Sequence, residues 1–214
     1  MKTDELIALL ATGAGPVEPE FATRRFSMSL GWGLSATILT MAIMLGVRPD
    51  IGEAVSEPMF WLKLGFPLII ALSMYHATSV LSRPGTRLGH TSAATLAAVL
   101  AIVWIMAVIA LLNAVPGSRS MLVFGDTWFF CLVSIPLLSI PVFIAAIWAM
   151  KGLAPIRPAL AGAAAGLLAG SVSAVVYALH CPELAPPFIA TWYVLGMAVP
   201  ALVGAFLGPR LLRW

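Results

Sequence analysis

Six separate apolar runs, each about twenty residues long, leave this chain few ways to fold. They cover roughly residues 26–47, 59–81, 91–112, 127–150, 158–179 and 187–207. A run of that length as an α-helix crosses the roughly 30 Å of hydrocarbon in a bilayer. In lipid a backbone must satisfy its own polar groups, so a spanning segment of this kind is helical. The connections carry helix-stopping residues: Arg48-Pro49-Asp50, Arg83-Pro84-Gly85, Pro116-Gly117, Ala154-Pro155 and Cys181-Pro182. The expected fold is all-α, a polytopic membrane bundle of six transmembrane helices over residues 26–214, preceded by a short segment over 1–25.

Composition agrees. Hydrophobic residues make up 61% and charged residues 10%, with a mean hydropathy of +1.00, against about 45–50% and 25% in soluble domains. Six spans and their loops use nearly the whole length, which leaves no room for a separate catalytic domain. Twelve basic residues against nine acidic ones give no bulk-charge support for direct nucleic-acid binding.

The placement of those charges sets an expected orientation. One set of flanks carries Lys2, Arg24, Arg25, Arg83, Arg87, Lys151, Arg157, Arg210 and Arg213; the other carries Arg48, Lys63 and Arg119. The positive-inside rule then puts both termini in the cytoplasm of an inner membrane. The first residues, with Asp4, Glu5, Glu18 and Glu20, lack the basic n-region of a cleaved secretory signal and read as a retained cytoplasmic segment. Phe60, Trp61, Trp128, Phe129, Phe130, Trp192 and Tyr193 fall where spans enter from the outer face and are expected to form an interfacial belt. Gly162, Gly166 and Gly170 in the fifth span, and Gly196, Pro200, Gly204 and Gly208 in the sixth, recur every four residues. Such ridges let helices approach closely. Pro136 and Pro141 are expected to kink the fourth span and free carbonyls that neighbouring spans then satisfy.

Given this topology, the two cysteines come to one face. Cys181 lies in the outer loop between spans five and six, and Cys131 about one turn inside span four. That face is outside the reducing cytosol, where thiols can pair or meet a soft metal ion. His180 and Glu183 flank Cys181, and Asp126 precedes span four. Cys131, Cys181 and His180 are therefore candidate ligands for a heavy-metal ion, with buried inert cysteines and a static disulfide as the alternatives. No CxxC is present, which argues against quinone-coupled disulfide chemistry.

Signals for catalysis or transport are weak. HExxH, GxSxG, a P-loop and a dinucleotide fingerprint are all missing, no carboxylate lies deep in a span, and no cofactor is implied. Lys63 is expected to snorkel to the outer interface, and His76 to be a packing histidine in span two.

The N-terminal segment is the other candidate for function. Thr3 can cap a short helix with Asp4 and Glu5 in its first turn and an apolar face of Leu6, Leu9 and Leu10, stopped by Gly13, Gly15 and Pro16. About ten residues are marginal as an isolated helix, so a partner should order them. The acidic start disfavours anionic lipid and favours a cytoplasmic protein, with Thr3, Asp4, Leu6, Ile7 and Leu10 as the contact residues.

Over nearly its whole length the chain resembles the NrsF-like membrane anti-sigma factors, which restrain extracytoplasmic-function sigma factors of the sigma-F type. The resemblance is carried by Met1-Lys2-Thr3-Asp4-Glu5-Leu6-Ile7, by Arg48-Pro49-Asp50 with Phe60-Trp61-Leu62-Lys63-Leu64, and by Arg157-Pro158-Ala159-Leu160-Ala161-Gly162. The ending adds Tyr177-Ala178-Leu179-His180-Cys181-Pro182-Glu183, Trp192-Tyr193 and Gly208-Pro209-Arg210-Leu211-Leu212-Arg213-Trp214. It implies six membrane helices, a cytoplasmic N-terminus that sequesters a sigma factor, and cysteines that sense heavy-metal stress; here those can only be Cys131 and Cys181. The HxxxCxxC zinc motif of soluble-domain anti-sigma factors is missing.

The expected function is that of a regulator rather than an enzyme. The N-terminus would hold an extracytoplasmic-function sigma factor, and ligation or oxidation of Cys131 and Cys181 would release it. A small transporter or permease using His76 and the cysteines is the rival, and an integral-membrane enzyme ranks third.

Overall fold

The computed structural model describes residues 3–12, 21–83, 89–151, 153 and 155–213; the side chains of 10, 11 and 21–23 are also left aside. Gly13, Gly15, Pro16, Pro84, Gly85 and Arg87 therefore lie outside the described residues, as does the Leu10 side chain.

Every regular element among the described residues is helical. In order they are α1 (Thr3–Thr12), α2 (Phe21–Met44), α3 (Ile51–Ala54), α4 (Pro58–Leu81), α5 (His90–Asn113), a 3₁₀ turn (Pro116–Ser118), α6 (Arg119–Phe124), α7 (Trp128–Met150), α8 (Pro158–Tyr177), α9 (Pro186–Phe188), a π-helical turn (Ile189–Tyr193) and α10 (Val194–Leu211). Six helical stretches are long and apolar enough to cross a membrane, at the places the apolar runs mark. The starts and stops differ in detail. α2 starts at Phe21, five residues before position 26, and stops at Met44, because Gly46 turns the chain with φ +73°. The sixth span continues to Leu211, past Gly208 and Pro209.

α8 is the hub. It packs on α10, α4 and α7, and its contact with α10 is the most extensive in the molecule. The glycine ridges make this possible: a methyl group at Gly162 would overlap the Gly204 carbonyl, one at Gly166 the Pro200 carbonyl, and one at Gly208 the Pro158 carbonyl. None of the twenty α8 residues is charged or larger than Tyr177, and thirteen of them are buried. α5 sits at the edge, with buried residues limited to Ser92, Val99, Val103 and Ala107. Around the two prolines of α7, the Leu138 carbonyl accepts from Thr37 Oγ1 (3.0 Å) and the Ile135 carbonyl from Ser173 Oγ (2.8 Å). These bonds tie α7 to α2 and α8 beside its prolines, although the carbonyls that Pro136 and Pro141 leave without a helical donor are those of Leu132 and Leu137.

The bundle has two unlike ends. One holds the α2–α4, α5–α7 and α8–α10 connections; the other holds the starts of α2, α5 and α8 and the ends of α4, α7 and α10.

Candidate functional site: a buried thiol cluster

The α8–α10 connection is short and carries Cys181 in residues 178–185, between the last turn of α8 and the Pro186 start of α9. Cys131 comes from the first turn of α7, which Trp128 opens. Both are free thiols and both are 0% exposed. Each lies within electrostatic reach of the other and of Lys63, Tyr177 and Tyr193. The structure therefore unites the two cysteines, as expected, but deep in a packed cluster.

Lys63 is the residue that sequence reasoning placed wrongly. It does not snorkel: it is 0% exposed, and its Nζ donates to the Cys181 carbonyl (2.6 Å) and the Glu183 carbonyl (2.8 Å). The ammonium also lies 5.4 Å from the Tyr193 ring centroid. Its hydrophobic neighbours gave no hint of this, because the partners are backbone carbonyls contributed more than a hundred residues later.

Arg48 holds the same loop from a second side. Only 8% exposed, it donates Nε to Asp50 Oδ1 (2.8 Å), Nη2 to Asp50 Oδ2 (2.5 Å) and Nη1 to the Cys181 carbonyl (3.4 Å). This hydrogen-bonded pair keeps the Asp50 carboxyl down at about 2 and pushes Arg48 above its usual value. The backbone N–H of Arg48 donates to the Leu179 carbonyl (3.1 Å). His180 Nδ1 lies 2.9 Å from the Gly46 carbonyl; since a carbonyl only accepts, Nδ1 is the donor. His180 thus braces the loop against the end of α2. Among the described residues, no three His, Cys, Asp or Glu side chains gather as a metal-holding group.

Glu183 ties in the remaining connection. Its Oε1 accepts from the Asp126 N–H (2.9 Å), just before α7. Gly125 has φ +52°, and a methyl group there would strike the Glu183 carboxylate at 2.7 Å. The glycine supplies both the left-handed turn and the space. All three connections at this end therefore converge on residues 179–183.

The aromatic belt is only half present. Trp61, Phe129 and Phe130 are exposed, but Phe60, Trp192 and Tyr193 are buried. The π-helical turn rotates Trp192 and Tyr193 inward: Trp192 Nε1 donates to the Val123 carbonyl (2.7 Å), and Tyr193 stacks near Tyr177 and Phe66. His76 departs too. It is exposed beside a shallow groove between α4 and α5, not packed in the core.

Thr3, Asp4, Leu6 and Ile7 all lie on α1, which starts at Thr3 and ends at Thr12. Leu6 is 42% exposed, Ile7 59% and Leu9 64%. Those apolar side chains are exposed.

Comparison with known proteins adds the identity of this arrangement. No solved structure matches the chain. The family model described as negative regulator of sigma F matches residues 10–214. A probable anti-sigma-F factor of Azospira oryzae is 51% identical over 214 residues, covering all of both chains. The anti-sigma-F factor of Caulobacter vibrioides is 38% identical over 216 residues, again covering all of both. The six-helix chain with the thiol cluster at one end accordingly belongs to the NrsF family of negative regulators of sigma F, a regulatory and not an enzymatic family.

Proposed function

We propose that this protein restrains an extracytoplasmic-function sigma factor at the inner membrane by binding it with residues 1–25, and that Cys131 and Cys181 form the trigger for release. Both termini lie in the cytoplasm, and the thiol end faces outward; the nine-to-three division of basic residues supports this orientation. Thr3, Asp4, Leu6, Ile7 and Leu10 make the sigma contact, and residues 26–214 form the sensing bundle.

The observation that carries the reading is the position of Cys181. Its carbonyl is the shared acceptor of Lys63 and Arg48, and its thiol is buried beside Cys131. A heavy-metal ion or an oxidant reaches these thiols only when residues 178–185 open. Opening breaks the loop's bonds to α4 and to the α2–α4 connection, and thiols captured in that state hold it open. With Nδ1 engaged by the Gly46 carbonyl, Nε2 is the nitrogen of His180 that would serve as a further ligand for a soft or borderline ion once the loop moves. Helix packing then differs between the two states, and a coupling of about 1–3 kcal/mol changes sigma affinity about 5- to 150-fold.

The test is retention of a co-expressed sigma factor on membranes. Intact chain should retain it and a chain lacking residues 1–25 should not. With Cys131→Ser and Cys181→Ser combined, retention should persist through metal exposure that empties wild-type membranes. Release by the double variant rules out the thiol trigger, and loss of retention by neither deletion nor stress rules out the N-terminal contact.

A further inference from the structure

A second site lies far from the thiols, between α2 and α7. A groove of about 750 Å³ runs from Arg24 and Arg25 at the start of α2 to Ala36, within the range of about 300–1,000 Å³ seen for ligand sites. Its floor is made of small residues: a methyl group at Gly33 would sit 3.0 Å from both Ala145 Cβ and Val142 Cα. Its walls are the exposed side chains of Met28, Trp32, Ile144 and Trp148. Twelve residues of helix separate Arg24 from Ala36, which is about 18 Å of rise and close to one leaflet's half of the roughly 30 Å hydrocarbon layer. The groove is thus apolar along an acyl chain's depth and cationic only at its mouth.

The mouth is built. Arg25 lies over the Trp148 ring, its guanidinium carbon 4.6 Å from the centroid, and its Nη2 donates to the Trp148 carbonyl (3.1 Å). This fixes a cation at the groove's end, and its buried Nε has no hydrogen-bond partner among the described residues. Arg24 beside it is exposed, and no carboxylate is among the described residues that line the groove. Two positive charges above an apolar slot one leaflet deep complement one kind of molecule already surrounding the protein.

We propose that this groove binds an anionic phospholipid, its acyl chain against Gly33, Ala36 and Ala145 and its phosphate headgroup at Arg24 and Arg25. Such a bond is stronger than general lipid contact because the cation is held in place by Trp148 before the lipid arrives. The site is independent of the thiols and of Thr3, Asp4, Leu6, Ile7 and Leu10, the residues assigned the sigma contact, while its two arginines are the last residues of the 1–25 segment.

Native mass spectrometry of the full chain released from vesicles of equal phosphatidylglycerol and phosphatidylcholine tests this. Phosphatidylglycerol should be retained well above its share. A basic residue at an anionic surface contributes about fivefold, so Arg24→Gln with Arg25→Gln should reduce the preference about 20- to 30-fold. Ile144→Phe, at an exposed position that tolerates bulk, should reduce lipid retention while keeping both charges. Equal retention of the two lipids by wild type, or an unchanged preference in the arginine double variant, overturns the site; circular dichroism of each variant shows whether the bundle has folded.

Discussion

The two ends of this bundle use similar residues for opposite purposes. At the thiol end, Lys63 and Arg48 are buried and both donate to carbonyls of one loop, Arg48 giving its other donors to Asp50, so the connections are tied into a single unit. At the other end Arg24, Arg157 and Arg210 are exposed, and α1 leaves Leu6, Ile7 and Leu9 uncovered. A cation taken out of water is tolerated only where acceptors are fixed around it, and it then makes its surroundings sensitive to small changes. The first end is arranged to change state as a whole, and the second to present separate contacts.

The largest effect is expected where the two ends are joined. Gly166→Leu puts a side chain into the Pro200 carbonyl of α10, with no flexible neighbour to yield. No folded bundle should survive extraction, as gel filtration in mild detergent will show; a monodisperse variant would mean that the α8–α10 seam is looser than this packing.

Lys63→Met comes next. It keeps the aliphatic stem and removes the donor, leaving the Cys181 and Glu183 carbonyls without it. The Cys181 carbonyl keeps its donor from Arg48, so with one buried group left unsatisfied at about 1–3 kcal/mol the loss should be about 1–3 kcal/mol in a denaturant titration. Cys181 should also react faster with a maleimide. Unchanged stability and reactivity would show that Lys63 does not latch the loop.

A smaller, pH-dependent effect belongs to Arg48 and Asp50. Asp50 is held down at about 2 by Arg48, below an ordinary value near 4. A depressed acid stabilises the fold above its ordinary value and loses that contribution as the pH falls through about 2. Wild type should therefore exceed Asp50→Asn in unfolding midpoint at pH 6, and the difference should shrink from pH 4 downward. A constant difference would place the pair's contribution elsewhere than in its charge.

The least effect on stability is expected at α1. Leu6→Asp with Ile7→Asp should alter the unfolding free energy by no more than about 0.5 kcal/mol, as exposed positions do, yet lower sigma retention tenfold or more. A large stability loss would show that α1 packs on the bundle and does not wait for a partner.

Local pattern was sufficient for much of this. Apolar runs of membrane length, glycines every four residues and stop residues between runs fix helix number, approximate bounds and which helix faces allow close approach, because each depends on neighbours within a few positions; that α8 and α10 pair through those faces came from the structure. The common location of Cys131 and Cys181 followed from counting spans. The positions of Lys63, Phe60, Tyr193 and His76 did not, because which side of a helix faces its neighbours depends on the whole bundle. In a chain this apolar, hydropathy hardly differs between the packed and lipid-facing sides of a helix. The sequence by itself determined six helices, their order and the family; the tertiary structure decided that Lys63 turns inward to carbonyls from residues 181 and 183. Only there does a buried ammonium find fixed acceptors, and no local pattern encodes a partner contributed by distant backbone.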